Sequence, residues 1–175
     1  MADVAIALGS NLGESFTNIK NARELLQIIA LDESLVTGAA ITLTSAPIYK
    51  SSPMDCPEGS PDFLNTVVCF ETRASPLELM WFTQCIEKKL GRKSKKIHNE
   101  SRAIDLDILY LGNNPFTSPE LTLPHPRIVQ RRFVLEPLAA LRPNLILPGQ
   151  KLSITELLAK EEIQQQTLEL AHPTW

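Results

Sequence analysis

Two changes of hydrophobic period constrain the fold of this chain more than any other feature. Residues 63–72, FLNTVVCFET, are rich in Val, Thr and Phe and read as a strand. At Ser75-Pro76-Leu77-Glu78 the pattern switches to that of a helix start. Ser75 stands at the N-cap, Pro76 at the first helical position and Glu78 where a capping box needs its acid. Leu79, Phe82, Ile86 and Leu90 carry the apolar face until Gly91 closes the helix. The strand pattern returns over residues 104–111, IDLDILYL, and stops at Gly112-Asn113-Asn114.

The same alternation occurs upstream. Residues 4–10 form an apolar run ending at Gly9-Ser10-Asn11-Leu12-Gly13, and Phe16, Ile19, Leu25, Leu26 and Ile29 then fall on one helical face. Residues 35–49, rich in Thr and Ile with partial alternation, read as another strand. The order strand, helix, strand, strand, helix, strand is the split βαβ, or ferredoxin-like, arrangement. It predicts an α+β fold, an antiparallel sheet covered by helices in three layers, αβα. That fold hosts many unrelated functions, so function has to be argued from sites.

At 175 residues, 43% of them hydrophobic, the chain suits a single core. Residues 1–162 are expected to form one domain and 163–175 a C-terminal tail. Residues 50–62, with Pro53, Pro57, Gly59 and Pro61, form a long loop of the kind where function concentrates. Residues 128–141 read as a helix that Pro137 kinks or splits, and residues 153–161 as a short one. No apolar run approaches the length of a membrane span, and the first residues carry no basic leader. Cys56, Cys69 and Cys85 show no paired spacing, so neither a disulfide framework nor a zinc ribbon is indicated. The expected location is the cytoplasm, without membrane association.

The net charge of −3 argues against a general nucleic-acid binder, but its distribution is uneven. Between Lys88 and Arg102 seven basic residues stand against the single acid Glu100. Such a segment is either a solvated loop or a partner for an anion. Directly after it, Asp105 and Asp107 share one face of an apolar strand while Ile104, Leu106 and Ile108 take the other. Two acids side by side are harmless on a solvated face. On a half-buried face they repel unless a cation offsets them, and hard oxygen ligands suit magnesium. An anion that brings its own magnesium satisfies both halves at once, which is the layout of phosphoryl transfer.

Other polar residues are less specific. His125, between Pro124 and Pro126, is a turn residue or a phosphate donor. Arg127 and Arg131 share a face if a helix starts near them, with Arg132 adjacent. The turn GSNLG lacks both the Walker lysine and GxGxxG, so it supports no nucleotide site. His98 and His172 lack metal-ligand spacing. Asn65, an amide in the apolar run FLNTVV, either bonds its surroundings or reads a heterocycle edge.

Taken together, ALGSNLG, PDFLNTVVCFET, IEKKLGR, RAIDLDILYLG, LTLPHPR and RRFVLEPL, in that order, make the chain resemble the 6-hydroxymethyl-7,8-dihydropterin pyrophosphokinase family. The resemblance implies transfer of a pyrophosphoryl group from ATP to the pterin hydroxymethyl, releasing AMP, with two magnesium ions held by Asp105 and Asp107. It implies that Arg92 and Arg102 act with these acids in catalysis. By position, Gln84, Glu87, Arg92, Lys95, Arg102, Ile108, Thr122, His125 and Arg131 correspond to ATP contacts. Ser51, Ser52, Pro53, Met54, Phe63, Asn65 and Phe133 correspond to the pterin site. Asn99 and Glu100 replace the Trp and Gly common in the family, and Pro126 a frequent Tyr, so closure of the basic loop is expected to differ. The resemblance implies small-molecule partners only, and the protein is expected to be a monomer. Two other readings stand beside it: a ferredoxin-like module that binds RNA or another anion without catalysis, and a metal-dependent phosphoesterase. Only 6% of the residues are aromatic and the strands lack a stacking stripe, which disfavours the first.

Overall fold

The structure is a computed structural model that describes residues 1–38, 40–54, 56–92 and 101–175. Its elements are β1 (Ala2–Ser10), α1 (Ser15–Thr37), β2 (Thr44–Ser45), β3 (Ile48–Ser51), β4 (Phe63–Thr72), α2 (Pro76–Lys89) and β5 (Asp105–Leu111). There follow β6 (Phe116–Thr117), β7 (Thr122–Leu123), a 3-10 turn (Ile128–Gln130), α3 (Arg132–Leu141), α4 (Ile154–Leu158), α5 (Glu161–Gln164) and β8 (Glu169–His172). The sheet runs β5-β1-β4-β3-β8, each neighbour antiparallel, with β2 also paired to β4. β6 and β7 form a separate hairpin.

β1 and β4 lie in the middle of the sheet and read as nearly continuous apolar runs because both of their faces are covered. Val4, Ile6, Leu8, Val68 and Phe70 pack toward Ile19, Leu26, Leu79 and Ile86 of α1 and α2. Ala5, Val67 and Cys69 pack on the other side against Val134, Leu135 and Leu138 of α3 and Leu157 of α4. Each fully buried Leu, Ile, Val or Phe contributes about 1.5–3 kcal/mol of transfer free energy. The three-layer αβα expectation holds. The capping box is present at Ser75, whose hydroxyl accepts from the Glu78 amide while the Glu78 carboxylate accepts from the Ser75 amide. Gly91, at φ 89°, follows that helix in the left-handed region that glycine occupies without strain.

Three local expectations need correction. Residues 35–37 belong to α1 rather than to a strand, and the helix ends where Gly38 takes a left-handed φ of 70°. Leu35 and Val36 point to solvent, so their strand-like chemistry is not used, and Phe16 is exposed rather than on the buried face. The stretch expected as one strand contains two short ones, β2 and β3, on either side of Ala46-Pro47. The helix expected from residue 128 starts at Arg132, and its interruption lies at Arg131, whose extended φ and ψ separate the 3-10 turn from α3; Pro137 sits inside α3.

The last residues join the sheet. β8 pairs with β3, the Trp175 indole donates to the Ala46 carbonyl at 2.8 Å, and the Arg23 guanidinium lies 5.3 Å from the Trp175 ring centroid. Truncation after Thr167 removes this partly buried indole and uncovers the edge of β3. The expected cost is about 2–3 kcal/mol of burial, or roughly 5–10 °C in Tm for a chain of this size. A melting curve followed by circular dichroism checks it, and an unchanged Tm would show that the tail is not part of the cooperative unit.

Candidate active site

Strand register assembles the site. Gly9 is opposite Asn65 on one side and opposite Asp105 on the other, and Ala7 is opposite Asp107. A strand interior disfavours glycine, yet here the absent side chain has a use. A Cβ on Gly9 would stand 3.3 Å from Asn65 Oδ1 and 3.9 Å from the Phe63 ring. With Ala7 and Gly9 as its floor, a cleft of about 1120 Å³ opens over this end of the sheet. That volume exceeds what one drug-sized ligand needs, about 300–1,000 Å³.

At one end of the cleft, charges are densely paired. Asp105 holds an arginine on each oxygen: Arg92 Nη1 at 2.9 Å from Oδ1 and Arg102 Nη1 at 2.7 Å from Oδ2. Glu87, buried on α2, receives a bond from Arg92 and another from the Leu106 amide at 2.8 Å, so it fixes both Arg92 and the strand that carries the acids. Burial pushes the Glu87 carboxyl up to about 6, against the opposing pull of the Leu106 amide and Arg92. Burial, and then the neighbouring Asp105, raise the Asp107 carboxyl above the ordinary range. Among the described residues no three His, Cys, Asp or Glu side chains form a group able to hold a metal ion; Asp105 and Asp107 are a pair of hard oxygen donors, the kind that suits magnesium.

His125 lies over the same end. Burial lowers its pKa, which favours the neutral ring, and its Nδ1 accepts from the Arg127 amide at 3.2 Å. The proton of the neutral ring is therefore on Nε2, as a donor. Arg127 and Arg131 both line the cleft, although not as neighbours on a helical face: they flank the 3-10 turn, and the Arg131 guanidinium lies 5.5 Å from the Phe133 ring centroid. Gln84, Ile108 and Thr122 line it as well.

The other end is less charged. Ser51, Ser52, Met54, Phe63, Asn65 and Phe133 line it, whereas Pro53 does not reach the wall. Asn65 is buried and donates from Nδ2 to Ser51 Oγ at 2.9 Å, which leaves its Oδ1 beside Gly9 at the cleft floor. Lys95, Asn99 and Glu100 lie outside the described residues. The sequence reading did not assign Lys88, Thr83 or the hairpin residues Ser118–Leu121, which also line the cleft. Lys88 follows Gln84 by one helical turn, a spacing that could have found it. The hairpin carried no such signal.

A family model for 7,8-dihydro-6-hydroxymethylpterin-pyrophosphokinase matches residues 5–143. The chain belongs to that family. A relative from Haemophilus influenzae named 2-amino-4-hydroxy-6-hydroxymethyldihydropteridine pyrophosphokinase is 37% identical over 158 residues, 90% of this chain and 92% of that one. The folic acid synthesis protein fol1 of Schizosaccharomyces pombe is 37% identical over 155 residues, 89% of this chain but only 20% of its own length. A solved HPPK-DHPS chain in complex with substrates matches at TM-score 0.67 and 12% identity, over 89% of this chain and 42% of that chain. At that identity the likeness shows the fold alone. The chain thus spans nearly the whole of the bacterial family member and about a fifth of the fungal one.

Within the family site, Asn65 should matter more than Phe63 for binding the heterocycle. Asn65→Ala removes the buried amide at the cleft floor, an expected loss of roughly 1–3 kcal/mol, whereas Phe63→Leu keeps an apolar wall. Calorimetry with the pterin and a non-hydrolysable ATP analogue measures both, and equal affinities for Asn65→Ala and the unaltered protein would remove Asn65 from the pocket.

Proposed function

We propose that the protein transfers the terminal pyrophosphoryl group of ATP to the hydroxymethyl oxygen of 6-hydroxymethyl-7,8-dihydropterin. The hydroxymethyl oxygen gives up its proton, which ends in solvent, and bonds to the β-phosphorus, the bridge between the α- and β-phosphates breaks, and AMP leaves. One observation carries this reading: a single cleft has two neighbouring carboxylates faced by arginines at one end and a buried amide with aromatic walls at the other. Family membership and the full-length bacterial relative support it.

Asp105 and Asp107 are the residues to hold magnesium, and the buried, cation-seeking state of Asp107 fits that role. Magnesium, as two ions, would supply there the positive charge that offsets the phosphates. The chain's own groups do the positioning. Arg92 and Arg102 turn from Asp105 to the phosphates, His125 donates from Nε2, and Gln84, Glu87, Ile108, Thr122 and Arg131 shape the nucleotide side. Lys95 adds charge from the basic segment. Asn65 reads the pterin edge, Phe63 and Phe133 face its ring, and Ser51, Ser52, Pro53 and Met54 form the loop beside it. In this reading the protein is a cytoplasmic monomer that acts on small molecules, not on nucleic acid or membrane.

Mixing the protein with ATP, magnesium and the pterin, and identifying the adenine product, tests the proposal. AMP with pterin pyrophosphate supports it. Absence of turnover favours a binding module, and free phosphate favours a phosphoesterase.

A further inference from the structure

The turn Gly9-Ser10-Asn11-Leu12-Gly13 has no nucleotide-binding pattern, yet Asn11 is 3% exposed and fully engaged. Its Oδ1 accepts from the Arg102 amide at 2.9 Å, and its own amide donates to the Arg102 carbonyl at 3.2 Å. The Nδ2 group donates to the Pro61 carbonyl and to Ser101 Oγ, each at 3.2 Å. A carbonyl can only accept and an amide N–H can only donate, so these partners fix which end of the Asn11 side chain points where. Two residues beyond the cleft floor, Asn11 therefore grips the backbone of Arg102 from both sides. It also ties that grip to the end of the loop that carries Ser52, Pro53 and Met54. Ser10 adds a second link, Oγ to the Ala103 carbonyl at 2.5 Å.

We propose that Asn11 is a positioning residue: it fixes the Arg102 backbone so that the guanidinium reaches Asp105 and, in the proposed reaction, the phosphates. The inference rests on the proposed function for its kinetic consequence but not for its structural one. An arginine side chain has four rotatable bonds beyond Cα, so aim is lost first when its backbone moves. A displacement on the order of 1 Å from a distant change can cost about 10²-fold in rate. Asn11 touches neither acid, so removing it should leave the charge of the site unchanged and disturb only where that charge stands.

The test compares Asn11→Ala, Arg102→Ala and the double variant in the full chain. Hydrogen exchange of the unliganded protein reads the structural claim: protection at the Arg102 amide should fall at least about tenfold in Asn11→Ala, the size of one lost hydrogen bond. Protection in the α2 segment should be unchanged. Single-turnover rate with ATP and pterin reads the consequence. It should fall about 10–30-fold in Asn11→Ala while affinity for a non-hydrolysable ATP analogue changes less than threefold. The double variant should be within about twofold of Arg102→Ala alone, because residues that act through one another are not additive. Full additivity, or unchanged exchange at Arg102, would overturn the inference. If Asn11→Ala does not fold, Asn11→Asp, which keeps the acceptor for the Arg102 amide and loses the donors to Pro61 and Ser101, should retain protection at Arg102; loss of protection there would also overturn it. An unaltered protein that shows the exchange pattern but makes no AMP would refute the proposed reaction and leave the positioning role standing.

Discussion

Asp105→Ala and Asp107→Ala are expected to reduce turnover on the order of 10³-fold or more, roughly 4 kcal/mol of barrier, while leaving the protein folded. The cleft has two carboxylates where magnesium would be held, and among the described residues no group of three acids, histidines or cysteines could hold a metal in their place. The two variants should differ in stability. Asp105 is compensated by Arg92 and Arg102, so its loss takes one carboxylate partner from each of two guanidinium groups and lowers stability. Asp107 is buried beside a like charge, and its raised pKa marks the ionised form as costly to the fold. Replacing it in metal-free protein should therefore raise Tm, by about 2–4 °C for each kcal/mol of relieved repulsion and desolvation. Turnover at saturating magnesium and metal-free melting curves check both parts. Near-normal turnover in either variant would remove the metal assignment.

How much of this was legible in the sequence depended on whether a residue's partners lay nearby. β4 runs over the residues read from the sequence, 63–72, and α2 begins at its capping box, because both signals are local. The placement of Asp105 and Asp107 on one face followed from strand period alone. Residues 35–37 failed because β-branched and apolar side chains at a helix end can face solvent, leaving Gly38 as the stronger signal. β8 was illegible for a related reason: as a four-residue edge strand it buries no face and so shows no alternation. The grip of Asn11 on Arg102 spans 91 residues, and no spacing rule connects them. The arginines on Asp105 were read only as phosphate ligands, since their pairing with Asp105 depends on how α2 and β1 pack around β5.

That position bears on the second large effect. Arg102→Ala is expected to lower the single-turnover rate on the order of 10²-fold or more while ATP affinity changes less than tenfold. In the proposed reaction, attraction of ATP would be shared among the seven basic residues from Lys88 to Arg102, and salt screens exposed charges over about 8–10 Å. Removing one of seven therefore costs little in binding. Arg102 has a second reason to bind ATP weakly. Its guanidinium pairs with Asp105 at 2.7 Å, so a bond to phosphate competes with that pair. Exchange of that kind contributes little to ground-state affinity. In the transition state the balance would change, because negative charge spreads over the moving phosphoryl oxygens, where a planar fork in a dry site is strongest. Pre-steady-state quench flow with saturating ATP, beside calorimetry with the analogue, separates the two steps. Affinity lost with the saturated rate intact would show that Arg102 only anchors ATP, and would transfer the catalytic role to Arg92, which Glu87 holds on the other oxygen of the same carboxylate.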